Sequence, residues 1–189
     1  MKKNSLTLYM IMFVGLLMPF NAIGQTAMSN VTLGINGTAL LGITTGSTVA
    51  LSLGGAAEAG APIQEASADS TARLRISSLT SLDSTRTISA SISTGMTAMT
   101  ASNTELLVRL GDPNANFSNP GNMGTLAPDP IVLSGTDAPV VTGIKTCWSG
   151  TGADDGYRIF YTFRRKALAT TFSSPGAITV TYTLSNSML

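Results

Sequence analysis

Alternation with a period of two runs through most of the chain. Val31, Leu33 and Ile35 alternate with Thr32, Gly34 and Asn36, and after a turn at Asn36-Gly37 the apolar positions resume from Ala39 to Ile43. Val49, Leu51 and Leu53 alternate with Ala50 and Ser52. Leu74 and Ile76 alternate with Arg73, Arg75 and Ser77, and Ile88, Ala90 and Ile92 with Thr87, Ser89 and Ser91. Successive side chains of a strand point to opposite faces, so each run predicts a strand with one face inward and one toward water.

The second half repeats the pattern with larger side chains. Leu106, Val108 and Leu110 alternate with Leu107 and Arg109, and short apolar runs follow at Ile131 to Leu133 and Val140 to Ile144. Tyr157, Ile159, Tyr161 and Phe163 form one face of a strand whose other face is Arg158, Phe160, Thr162 and Arg164. Ile178, Val180, Tyr182 and Leu184 alternate with Thr179, Thr181 and Thr183 at the end. No segment carries a helical apolar stripe, and Ala56 to Ala68 contains Gly60 and Pro62 and reads as a loop. Strands without crossover helices predict an all-β fold, an antiparallel sandwich or barrel, of which a β-sandwich in a single domain is the expectation.

The opening residues stand apart. Lys2 and Lys3 precede an apolar run from Leu8 to Phe20, and Ala22-Ile23-Gly24 supplies small residues before Gln25. This is the layout of a secretory signal peptide, residues 1–24, which leaves residues 25–189 as the domain. The run is shorter than the roughly 20 residues of a membrane span. The expected location is therefore secreted or at a bacterial cell surface, with no membrane span after processing.

Composition narrows the function. Only 11% of the residues are charged, against roughly 25% in an ordinary soluble domain, and Ser, Thr and Gly take their place. There is no histidine, which removes every imidazole base and every His metal ligand. The basic residues are scattered along the sequence, which predicts no nucleic-acid footprint. Neither a cofactor nor an enzymatic activity is expected.

Candidate chemistry is sparse. Cys147 is the one cysteine; a buried small apolar side chain is expected, an intermolecular disulfide being the alternative. Asp112, Asn114, Asn116 and Ser118 follow the alternate spacing of a calcium loop, but Phe117 and Met123 stand where its glycine and bidentate glutamate belong. The glycine-rich stretch Gly150 to Gly156 lacks a phosphate-loop lysine and reads as a hairpin connection before the Tyr157 strand. Tyr157, Tyr161 and Tyr182 share faces with aliphatic residues and are expected between the sheets. Arg158, Phe160 and Arg164 form the opposite face, either a partner-binding patch or a second buried face. Ser70 and Ser84 lie in two copies of Asp-Ser-Thr, a tripeptide resembling a bacterial O-glycosylation signal.

Three blocks carry a wider resemblance: Val31-Thr32-Leu33 through Ala39 to Ile43, Thr142-Gly143-Ile144 with Cys147 to Gly152 and Gly156, and Thr179 to Leu184. Together they resemble small secreted bacterial proteins of uncharacterised function and, more distantly, pilin-like and spore-coat-U-like β-sandwich subunits. The resemblance implies an immunoglobulin-like or pilin-like sandwich. It also implies strand donation to a neighbouring copy by Val31, Leu33 and Ile35, with Gly176 and the final strand matching the C-terminal strand of such subunits. The chain departs from that pattern in having no possible internal disulfide and Met188 as penultimate residue. The expected function is a structural or surface protein, a fimbrial or surface-layer subunit assembling through its edge strands. An adhesin or carbohydrate-binding module is the alternative. Expected partners are further copies in a homo-oligomer or filament, other surface proteins, or glycans.

Overall fold

A computed structural model describes residues 37–44, 48–56, 58–113, 122–167 and 171–188. The signal peptide, Val31, Leu33 and Ile35, and most of the calcium-loop motif lie outside the described residues.

The described strands are β1 (Thr38–Thr44), β2 (Ala66–Asp69), β3 (Arg73–Leu79), β4 (Ser84–Thr94), β5 (Thr104–Leu110) and β6 (Thr125–Leu126). They continue with β7 (Ile131–Val132), β8 (Ala138–Ile144), β9 (Cys147–Trp148), β10 (Tyr157–Arg165) and β11 (Thr179–Met188). All pairings are antiparallel, in two sheets. The first runs β1-β3-β10-β5-β7, with β2 on β10 and β9 on β3; the second runs β11-β4-β8-β6. The all-β sandwich read from the alternation is the observed architecture.

The inward residues of each run meet between the sheets. Leu74, Ile88, Ile144 and Ile159 have no exposed surface, and Ile76, Val108 and Val141 join them. β3, β4, β5 and β10 have thus turned their apolar period inward, as burial of apolar area demands. Tyr157 sits among them at 1% exposure, and its hydroxyl donates to the Met123 carbonyl. That bond is what permits a phenol in an apolar layer.

Four features differ from the sequence expectation. Val49, Leu51 and Leu53 alternate and pack on the core, but their segment forms no strand; the period reflects packing without a ladder. Part of the loop expected from Ala56 to Ala68 is β2, which pairs with β10 from Ala66 onward. A helix, α1 (Met96–Ala101), follows β4; six residues are too few to show a helical period, and Met99 alone is buried. Finally, Gly150 to Gly156 is not a hairpin. β9 and β10 run along the same edge of β3, Trp148 opposite Ser77 and Tyr157 opposite Leu74. The glycine-rich stretch is an excursion that leaves one strand line and rejoins it.

Both ends of the excursion are fastened. Ser149, fully buried, exchanges two bonds with Ile76: its backbone N–H donates to the Ile76 carbonyl at 2.9 Å, and its hydroxyl accepts from the Ile76 N–H at 3.0 Å. Within the loop the Asp155 carboxylate accepts from the Gly152 N–H at 2.5 Å. At the far end Gly156 has φ +105°, and a Cβ there would meet the Leu74 carbonyl oxygen. Only glycine permits this re-entry.

One charge is built into the interior. Arg86 occupies an inward position of β4 and is 7% exposed. Its guanidinium donates to the carbonyls of Thr38 in β1 and Leu79 in β3, and to Asn186 Oδ1 in β11 at 3.1 Å. One side chain thereby ties both sheets together at the start of β1 and the end of β11.

Candidate functional site

The two sides of the sandwich are built differently. On one side the outermost strands are β7 and β6, two residues each. On the other they are β1, seven residues, and β11, ten residues, which among the described residues pair only with β3 and β4 respectively. An edge strand leaves a row of backbone donors and acceptors unpaired, which proteins blunt with charge, proline or shortness. Neither Thr-Ala-Leu-Leu-Gly-Ile-Thr in β1 nor Thr-Val-Thr-Tyr-Thr-Leu-Ser-Asn-Ser-Met in β11 contains a charged residue or a proline. Leu40 in β1 is 63% exposed and Ile43 40%.

Between these two edges lies a groove of about 380 Å³, lined by both apolar and polar groups. Ile43, Val49, Leu51, Tyr161, Phe163 and Ile178 line it beside Thr48, Ser174 and Thr179. The Tyr182 hydroxyl donates to that of Tyr161 at 3.0 Å. Burial pushes both phenols up from their ordinary range, so the pair stays uncharged. Arg86 closes the same side at its opposite end.

The outer face of the first sheet has a separate character. Arg158 and Arg164 are exposed and Phe160 is half-buried, so of the two alternatives for this set the open face is the observed one. The Arg109 guanidinium stands 4.5 Å and that of Arg158 5.5 Å from the Phe160 ring centre, a cation–π arrangement. Gly111 makes room for the ring, since a Cβ there would come within 2.7 Å of it. Arg164 pairs with Glu105 at 2.6 Å. The three residues are therefore on one face, but Arg164 is tied to a carboxylate, while Arg109, which sequence reasoning left out, completes the Phe160 stack.

Cys147 lies at 1% exposure opposite Ser78, the buried apolar role, and burial pushes its thiol up to about 11. A thiol ionises near 8.5 in an unfolded chain, so above that pH the unfolded state loses its proton first. Stability is expected to hold through neutral pH and to decline above about pH 9, the buried tyrosines acting in the same direction. Urea titrations at pH 7 and pH 10 check this; equal midpoints would contradict it. Thiol reagents are expected to label Cys147 only on unfolding.

Ser70 is half-buried in the break between β2 and β3, and Ser84 is half-buried at the start of β4, 2.8 Å from the Ser81 hydroxyl. Of the calcium-loop motif, Asp112 is described and exposed; among the described residues no three potential ligands gather around a metal position. No helix among the described residues is long and apolar enough to cross a membrane. No family model, curated protein or solved structure matches the chain.

Proposed function

We propose that the protein is an exported structural subunit of the bacterial surface, which assembles with further copies by strand addition along its β1 and β11 side. The observation that carries the reading is the asymmetry of the sandwich: two long uncharged edges flank a groove on one side, and two-residue strands end the other. An added strand gains backbone hydrogen bonds along an edge and places alternate side chains in the groove. The signal peptide at residues 1–24 supplies the route out of the cell. An immunoglobulin-like or pilin-like topology, with Val31, Leu33 and Ile35 as donated residues, is the form of assembly this reading favours. Ser70 and Ser84 are the proposed modification sites.

Light scattering on residues 25–189 tests it. Species larger than a monomer are expected, and changing Leu40 and Ile43 together to Lys is expected to leave a folded monomer, since charge on an edge opposes pairing. Removal of residues 25–37 then identifies the added strand: loss of assembly assigns it to Val31, Leu33 and Ile35, and persistence assigns it to direct pairing of β1 or β11. A wild-type protein that stays monomeric at millimolar concentration overturns the proposal.

A further inference from the structure

The scatter of arginines along the sequence disappears in the fold. Arg73 and Arg75 on β3, Arg158 and Arg164 on β10, and Arg109 on β5 all project from the outer face of the first sheet, as register and burial alternation place them. Arg164 is neutralised by Glu105, and Arg73 has Asp154 at 3.5 Å. Arg75, Arg109 and Arg158 have no carboxylate partner among the described residues.

The arrangement is costly without a ligand. Arg73 and Arg158 are directly opposite each other across two strands, a like-charge placement that weakens a sheet. Both lean on one carbonyl oxygen, that of Ser70, at 3.1 and 3.0 Å. Arg75 donates to the Gly152 carbonyl through one terminal nitrogen, and its buried Nε has no hydrogen-bond partner. Arg109 stands over the Phe160 ring.

An aromatic surface continues the belt. Trp148 is opposite Ser77 and therefore on the same outer face, two positions along from Arg75, and it is 49% exposed. Strand spacing and rise put Arg75, Arg158 and Arg109 at intervals of roughly 8 Å along a diagonal, and the indole lies at a similar interval from Arg75 on the strand line that Arg158 continues. A flat indole followed by widely spaced guanidinium forks suits a polymer of rings that carries a carboxylate on some of them. Nucleic acid presents a far denser charge, one phosphate per roughly 1.7 Å of duplex, than guanidinium groups at this spacing match.

We propose that this face binds a carboxylated polysaccharide, its acid groups held by Arg75, Arg158 and Arg109 and a sugar ring stacked on Trp148. Guanidinium forks match carboxylates bidentately, and repeated weak pairs gain strength on a polymer. The occupant follows from charge complementarity and is independent of the edge strands.

Affinity measured with polygalacturonate as probe tests it, beside neutral dextran, polyglutamate and an oligodeoxythymidine. Residues 25–189 are expected to bind polygalacturonate at low salt, to lose it at about 0.3 M salt as screening shortens, and to prefer it over the other three. Arg75→Gln, Arg109→Gln and Arg158→Gln together are expected to weaken binding at least tenfold. Arg109→Gln alone, at an exposed position where the fold loses no more than the Phe160 contact and stays folded, is expected to weaken it about threefold. Trp148→Ala is expected to weaken polygalacturonate binding while leaving weak polyglutamate binding unchanged. Absence of polygalacturonate binding by the wild type, equal binding by the folded Arg109→Gln variant, or a preference for dextran, polyglutamate or the oligonucleotide overturns the proposal.

Discussion

Replacing Arg86 with Ala is expected to lower the unfolding free energy by about 3 kcal/mol, at the upper end of what hydrogen bonds from a charged group contribute. The loss has three parts. The Thr38 and Leu79 carbonyls and Asn186 Oδ1 lose their donor, the arginine stem no longer covers the core, and the link between the two sheets at the start of β1 disappears. For a domain of this size the midpoint is expected to fall by roughly 6–12 °C. Arg86→Lys is expected to recover part of this, because an ammonium group cannot span three acceptors in a planar fork. Thermal unfolding of the three proteins at one pH decides; a shift under 2 °C for Ala would show that the guanidinium ties nothing.

Gly156→Ala is expected to have a cost of similar size. With φ at +105° and the Leu74 carbonyl where a Cβ would go, an alanine either strains the backbone by about 1–3 kcal/mol or moves β10 off β3. Tyr157 is the next residue and fully buried, so the displacement would pull its hydroxyl from the Met123 carbonyl. Ala at Gly152, in an ordinary region of φ and facing only the Asp155 side chain, is the control, with an expected cost under about 1 kcal/mol. Denaturant midpoints separate the two, and equal costs would contradict the account of the re-entry.

The strands that were legible are those whose period survives in isolation. β10 and β11 alternate over nine and ten residues, and the face each turns inward follows from parity alone. What was not legible depends on contacts distant in sequence. That Gly150 to Gly156 interrupts one strand line, and does not join a hairpin, follows from the pairing of both flanks with β3, some seventy residues earlier. Val49 to Leu53 has a strand's period without a partner, because period reports burial and not hydrogen bonding.

The candidate sites divide the same way. Arg158 and Phe160 were visible as the outward parity of one strand, but Arg75 and Arg109 join them only because β3 and β5 flank β10. Arg86 did leave a signal: it shares parity with Ile88, Ala90 and Ile92, and a charge on an inward position marks either a partner or a tie. The open edges of β1 and β11 left none, since whether a strand is an edge is a property of the sheet order.

Assembly through those edges is the central claim, and amide hydrogen exchange measures it most directly. Exchange is compared between a dilute monomer and the assembled protein, residue by residue across the strands. The account predicts that amides of Thr38–Thr44 or Thr179–Met188 exchange rapidly at alternate positions in the monomer and become protected on assembly, while β6 and β7 are unchanged. Assembly that leaves both edges exchanging as in the monomer, with new protection elsewhere, would contradict it.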